Sequence, residues 1–198
     1  MMINLFKHFL PERSFEMADG DKSGIEIERR FIVLEFDREK LKHGNHLQHE
    51  HFVQGYFQSG SLMTRVRIVN GVKAFLTRKT GKGLSRKEEE RSISVNSALF
   101  LMEGCEIKIE KERYFFENTD CTLDVFLHGF KGLFIAEIEL LHEKSLWQLP
   151  AWIYRSLEIT DKLSNGEIAT LGCRMGRDAL TGRVPQVFLE HLRASARS

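Results

Sequence analysis

Glu26, Glu28 and Arg30 stand two residues apart in the stretch GIEIERRFIV, residues 24–33. If that stretch is a strand, alternate side chains share a face, and two carboxylates and a guanidinium line one wall, opposite Ile25, Ile27 and Arg29. The same spacing recurs down the chain: Arg65 with Arg67, then Lys79 two after Thr77, then Arg86, Glu88 and Glu90. It continues with Lys111 and Arg113, with Asp124 beside Phe126, and with Glu137 and Glu139. The opposite parities are largely Ile, Val, Phe, Leu, Ala and Thr. Arg and Lys neutralise phosphate oxygens and paired Glu carboxylates take hard divalent cations, so one face carrying both suits a polyanion and its metal. Alternation alone equally allows the charges to face water around an apolar filling, and it leaves the two arrangements open.

The elements that must position these residues read as short strands separated by turn signals, the pattern of an antiparallel sheet that closes or packs on itself. Strands are expected over 25–33, 51–58, 62–69, 73–79, 86–93, 106–116, 121–127 and 134–141. A short helix or turn is expected over 37–46 and a brief helix over 94–103. Asn70-Gly71 is a hairpin dipeptide; Ser59-Gly60-Ser61, the polar turn with Gly81 and Gly83, and residues 118–120 and 129–132 are further turns. Late in the chain, 151–157 and 168–172 read as lid helices and 186–196 as an amphipathic helix. Trp147 and Trp152 read as ordinary packing around Pro150.

Two other clusters carry less. His43, His46, His49 and His51 fall in a polar connection without carboxylate or Cys at zinc spacing, and read as a solvated loop. Gly81-Lys82-Gly83 lacks the order of a phosphate-binding loop, and no helical pattern follows it.

With 198 residues and 42% hydrophobic content, the chain suits one globular domain with appendages. Its 29 basic and 28 acidic residues give no basic excess for nucleic acid. No apolar run approaches a membrane span, and three cysteines without C-x-x-C spacing support neither a disulfide framework nor zinc, which fits a reducing cytoplasm.

Residues 26–33, EIERRFIV, resemble the E-x-E-x-K signature that opens the CYTH superfamily, the triphosphate tunnel metalloenzymes. The likeness continues in order through Gln54-Gly55-Tyr56, Arg65-x-Arg67, Thr77-Arg78-Lys79, Arg86-x-Glu88-x-Glu90, Lys111-x-Arg113, Leu123-Asp124-Val125-Phe126, Ala136-Glu137-Ile138-Glu139 and Glu158-Ile159-Thr160, covering about residues 24–171. The resemblance implies a mainly β, α+β fold: a closed eight-stranded antiparallel barrel, or tunnel, with flanking and C-terminal helices. The tunnel would span 24–172, with a poorly ordered arm at 1–23 and a C-terminal extension with a helix at 173–198.

It further implies that Glu26, Glu28, Glu137 and Glu139 bind the metal, Mg²⁺ or Mn²⁺. Arg30, Arg65, Arg67, Lys79, Arg86, Lys111 and Arg113 would grip the phosphates. Glu28, Glu139, Lys111 and Tyr56 would act in catalysis, and Glu88, Glu90 and Asp124 would line the tunnel or share in metal binding. The implied activity is hydrolysis of inorganic triphosphate to pyrophosphate and phosphate, as in short bacterial members. A class IV adenylate cyclase and a thiamine triphosphatase would use the same contacts, and a non-catalytic polyphosphate- or nucleotide-binding module is the alternative of another class. The partner is a small-molecule triphosphate, with no nucleic acid and no membrane; a homodimer is allowed. Two departures stand out. Position 30 is Arg where the signature has Lys, and Leu163-Ser164-Asn165 lacks the Tyr that bacterial members place before the Asn.

Overall fold

The long strand β1 (Lys22–Phe36) organises the sheet because it exceeds any single neighbour in length and divides its edges among three of them. The computed structural model describes residues 22–42, 46–59, 62–81, 83–105, 107–160, 166–168 and 170. The expected arm, the tip of the 59–61 turn, the residues after Thr160 up to 165, and the extension with its helix at 186–196 lie outside the described residues.

After β1 and the one-turn helix α1 (Glu39–Lys42) come β2 (His46–Ser59), β3 (Leu62–Val69), β4 (Lys73–Thr80) and β5 (Ser85–Ile93). Then follow α2 (Val95–Glu103), β6 (Ile107–Phe116), β7 (Cys121–Phe126), β8 (Phe134–Glu139) and β9 (Ile153–Glu158). The order β5-β4-β3-β2-β6-β7-β8-β1, with β5 pairing back onto β1, closes eight antiparallel strands into a barrel. The expected barrel is therefore present. Closure removes the exposed edges that an open sheet of these strands would present.

A ninth strand flanks the ring. β5 covers residues 22–27 of β1, β8 covers 28–32, and β9 covers 31–36. Because β8 and β9 share Phe31 and Ile32, they lie on opposite edges, and β9 takes the edge that β5 leaves. This corrects the lid helix expected over 151–157: the far half of β1 has backbone N–H and C=O groups without a ring partner, and an extended segment satisfies them where a helix would not. The junction is closed by side chain as well as backbone, since Arg30 N–H donates to Thr160 Oγ1 at 3.1 Å and Ile159 N–H to Arg30 C=O at 2.8 Å. A second correction concerns the histidines. Residues 46–51 belong to β2, paired with β6, and His51 and His128 each place Nε2 on Glu110, at 2.7 and 2.9 Å.

Turn chemistry follows the sequence. Asn70 and Gly71 both have positive φ, 51° and 71°, as a tight hairpin with right-handed strand twist needs. Ser94 caps α2, its Oγ accepting from Ser97 N–H at 3.1 Å.

Three apolar clusters surround and plug the barrel. Ala98 and Met102 of α2 pack on Val66, Ile68 and Ala74 outside β3 and β4. Phe31, Val33, Leu123, Ala136 and Ile138 form an outer layer against Ile153, Leu149 and Trp152. Trp152 lies 4.5 Å from the Phe116 ring and Trp147 5.3 Å from the Phe31 ring, which is the packing role expected of both. The third cluster is internal. Ile32, Ile109, Phe126 and Ile135 share parity with the charged residues of their own strands, and join Tyr56, Leu133, Ile159 and Ile168 in an apolar plug. One end of the barrel is thus filled.

Gly55 on β2 marks where α2's far end meets the barrel. A Cβ there would stand 2.6 Å from Cys105 Sγ and 3.1 Å from Cys105 Cβ. Gly55→Ala is expected to cost about 1–3 kcal/mol by overpacking, and adding Cys105→Ala should return part of it. Urea unfolding of both variants checks this; equal stability of Gly55→Ala and the parent would refute the close approach.

Candidate functional site

Strand register decides which of the two arrangements holds. Glu26 faces Arg86 across β1 and β5, Glu28 faces Glu139 and Arg30 faces Glu137 across β1 and β8. Lys79 faces Glu88, and Arg113 faces Asp124. These residues share parity with the apolar plug, so the charged faces line the interior. The solvated alternative fails on burial too: Arg30, Lys111 and Asp124 are at most 1% exposed. Charges are almost never buried to that degree unless paired.

The pairing is dense. Glu26 accepts from Lys79 Nζ at 2.5 Å and from Arg86 at 3.4 Å, and Arg86 also bonds Glu28. Arg30 Nε donates to Glu137 at 3.2 Å and sits 3.9 Å from Glu28. Arg113 grips both Asp124 oxygens at 2.7 Å and reaches Glu137, while Lys111 bonds Asp124. Glu88 lies 3.2 Å from Lys79 and 3.5 Å from Arg65; Glu90 is 3.4 Å from Arg65 and accepts from Thr77 Oγ1 at 2.7 Å. Glu139, at the end of β8, is exposed.

Among the described residues, seven of the expected cations and six of the expected carboxylates are therefore brought to one interior, with Glu139 at its rim. Arg67 differs from the other cations. Among the described residues it has no carboxylate within salt-bridge distance; its guanidinium lies 4.9 Å from the Phe52 ring. Burial, with Arg65 beside it, lowers its pKa to about 10.

Electrostatics divides the carboxylates. Burial pushes Glu26 up, but Lys79 and Arg86 outweigh it and hold the group at about 2. Glu137 is likewise buried, yet Arg113, Lys111 and Arg30 keep it well below the usual carboxylate range. Glu88 moves the other way, raised by burial and by the neighbouring Glu26 despite Lys79. Lys111 is pulled down to about 7 by burial, against the attraction of Asp124.

These shifts set an acid limit. A carboxylate depressed in the folded state contributes stability that is complete above the unfolded value near 4.5 and is lost as pH falls through the folded value. Melting temperature is therefore expected to fall as pH drops from about 4.5 towards 2, with Glu88 offsetting a part. Glu26→Gln should flatten that fall, as thermal unfolding across pH can measure; a steeper fall in the variant would contradict the pairing.

Sequence reasoning gave no site role to three uncharged or aromatic members, although Thr77 and Gln54 stand in the matched segments. Phe52 lies under Arg67, Lys111 and Arg113, with cations 4.9 to 5.8 Å from its ring. Thr77 bridges Arg65 and Glu90. Gln54, wholly buried, accepts from the Tyr56 hydroxyl at 2.9 Å. Their parity matches the lining, and that was the available signal. Tyr56 itself sits against the plug, its hydroxyl raised to about 12 by burial.

The donor set suits a hard divalent cation, being carboxylate oxygen throughout. Among the described residues no three His, Cys, Asp or Glu side chains converge as a ready-made metal site. Glu26, Glu28, Glu88, Glu90, Asp124 and Glu137 are instead held by lining cations. A divalent cation held there would take one or two of these carboxylates and complete its shell with an anionic ligand or water.

Comparison with known proteins agrees. The CYTH domain description matches residues 24–170. An inorganic triphosphatase of Acetivibrio thermocellus is 40% identical over 140 residues, spanning 68% of this chain and 86% of that protein. One of Nitrosomonas europaea is 30% identical over 151 residues, spanning 73% of this chain and 96% of the other. A crystal structure of an inorganic triphosphatase is similar with a TM-score of 0.51 at 28% identity, covering 73% of this chain and 93% of that one.

Proposed function

Because the chain belongs to the CYTH domain family, we propose that it hydrolyses a triphosphate inside the barrel, most readily inorganic triphosphate, giving pyrophosphate and phosphate. The observation that carries this is the interior itself: cations and carboxylates facing one another across a closed barrel with one end plugged. Relatives at 40% and 30% identity are inorganic triphosphatases, which supports triphosphate over a nucleotide as the preferred substrate.

The chain's own residues supply binding and orientation. Arg30, Arg65, Arg67, Lys79, Arg86, Lys111 and Arg113 neutralise the phosphate chain and stabilise charge that grows on the leaving pyrophosphate. Asp124 holds Lys111 and Arg113 in place. Mg²⁺ or Mn²⁺, held by Glu26, Glu28 and Glu137 with Glu139 at the rim, would supply Lewis-acid polarisation of phosphoryl oxygens and a more acidic water. Tyr56 keeps its proton at working pH and acts as a hydrogen-bond donor. Arg30 in place of Lys retains charge and adds a planar fork, which here engages Glu137.

Residues 24–172 form the catalytic unit in this reading, with 1–23 and 173–198 as appendages. Cys105 and Cys121 are buried free thiols, which supports a reducing cytoplasm. Among the described residues no helix is long and apolar enough to cross a membrane.

The test is phosphate release from triphosphate, ATP, thiamine triphosphate and long-chain polyphosphate, each with Mg²⁺, Mn²⁺ or EDTA, with cyclic AMP measured alongside. Metal-dependent turnover greatest on triphosphate is expected. Cyclic AMP from ATP as the main product would move the same interior to a cyclase.

A further inference from the structure

Gln54 is 0% exposed, and its Nε2 makes no hydrogen bond among the described residues. Buried amide donors are rarely left this way, because the lost hydration is not replaced. The other end of the same side chain is fixed: Oε1 accepts from the Tyr56 hydroxyl at 2.9 Å. Across β2 and β3, Gln54 faces Arg67, whose Nε is also without a partner and which alone among the lining cations lacks a carboxylate among the described residues. Along β2, Gln54 stands between Phe52, beneath the cations, and Tyr56, in the apolar plug. It therefore stands beside the apolar plug, with Arg65 opposite Tyr56 one step further along.

We infer that Gln54 is a substrate-positioning residue whose amide N–H, together with the Arg67 guanidinium, seats a terminal phosphoryl group of the bound chain. The inference rests on the triphosphatase reading and deepens it. A neutral donor is what this place requires. A carboxylate there would pair with Arg67 and cancel its charge, as Glu88 and Glu90 do for Arg65, whereas an amide donates while leaving Arg67 free for an anion. An apolar residue would pack against Ile109 without an orphaned donor, so the amide has no purpose for the fold beyond accepting from Tyr56. With the plug residues Ile109 and Tyr56 beside it, the seat suits an unesterified terminal phosphoryl group, which has oxygens to accept from both donors and no substituent to bury.

Two variants test it. Gln54→Glu keeps the acceptor for Tyr56 and turns the donor into a partner for Arg67; Gln54→Met keeps the volume and removes both polar ends. Triphosphate binding in EDTA by calorimetry, KM and kcat with Mg²⁺, and melting temperature are measured for each and for the parent. Gln54→Glu is expected to melt no lower than the parent while KM and the EDTA dissociation constant rise roughly a hundredfold. Gln54→Met should raise both roughly tenfold, the loss of one hydrogen bond to a charged group, with the larger part of each effect in KM. Parent-like binding by either folded variant, or a fall in kcat with KM unchanged, would overturn the seat while leaving the triphosphatase reading intact. A parent that neither binds nor hydrolyses triphosphate would overturn both.

Discussion

Glu28→Gln is expected to lower kcat for triphosphate by about three orders of magnitude, the scale set by removing one preorganised charge from a water-excluded site. The substitution keeps side-chain volume and changes charge alone. Glu28 bonds Arg86, lies 3.9 Å from Arg30 Nε, and stands opposite Glu139, among the carboxylates proposed to hold the metal. The same geometry predicts an opposite effect on binding. With Glu28 neutral, Arg86 is less committed to the protein and more available to phosphate, so triphosphate affinity in EDTA should hold or improve. Steady-state kinetics and calorimetry on one preparation separate the two, and unchanged turnover would remove Glu28 from the metal site.

Asp124→Ala should produce the largest loss of stability, about 3–5 kcal/mol. Asp124 is 0% exposed and is the carboxylate on which Lys111 and both donors of the Arg113 fork converge. Removing it strands two cations in a buried site, leaving Glu137 to face Arg113. For a chain of this length the melting temperature should fall on the order of 10 °C. Lys111 is already pulled down to about 7 by burial, and without Asp124 it would go lower, so the variant should also lose a phosphate-binding charge at neutral pH. Parent-like melting would contradict the account of the pairing.

Much of this was legible in the sequence, and the limits have physical causes. Strand parity placed Glu26, Glu28 and Arg30 on one face, and the register bears that out against β5 and β8. Residues 62–69 are a strand as expected, and 94–103 yield a capped helix, because turn dipeptides and a Ser cap are local signals. Inward or outward was not local. It was decided by β5 reaching back to β1, a pairing across some sixty residues of chain. β9 was missed for a similar reason: residues 153–158 become a strand because β1 is long enough to leave an edge open. The histidines at 46–51 looked like loop because their partners on β6 lie far along the chain. Gln54 stood in the matched Gln54-Gly55-Tyr56 segment but received no role, because charge patterning does not single out a neutral donor whose importance lies in being unpartnered.

Purified protein is loaded with triphosphate in EDTA, freed of unbound ligand and then given excess Mg²⁺ while phosphate and pyrophosphate are counted. Binding without release in EDTA is expected, followed on metal addition by one phosphate and one pyrophosphate for each triphosphate bound. Full-rate release before metal is added, or bound triphosphate that stays whole afterwards, would contradict a metal-dependent triphosphatase acting within this barrel.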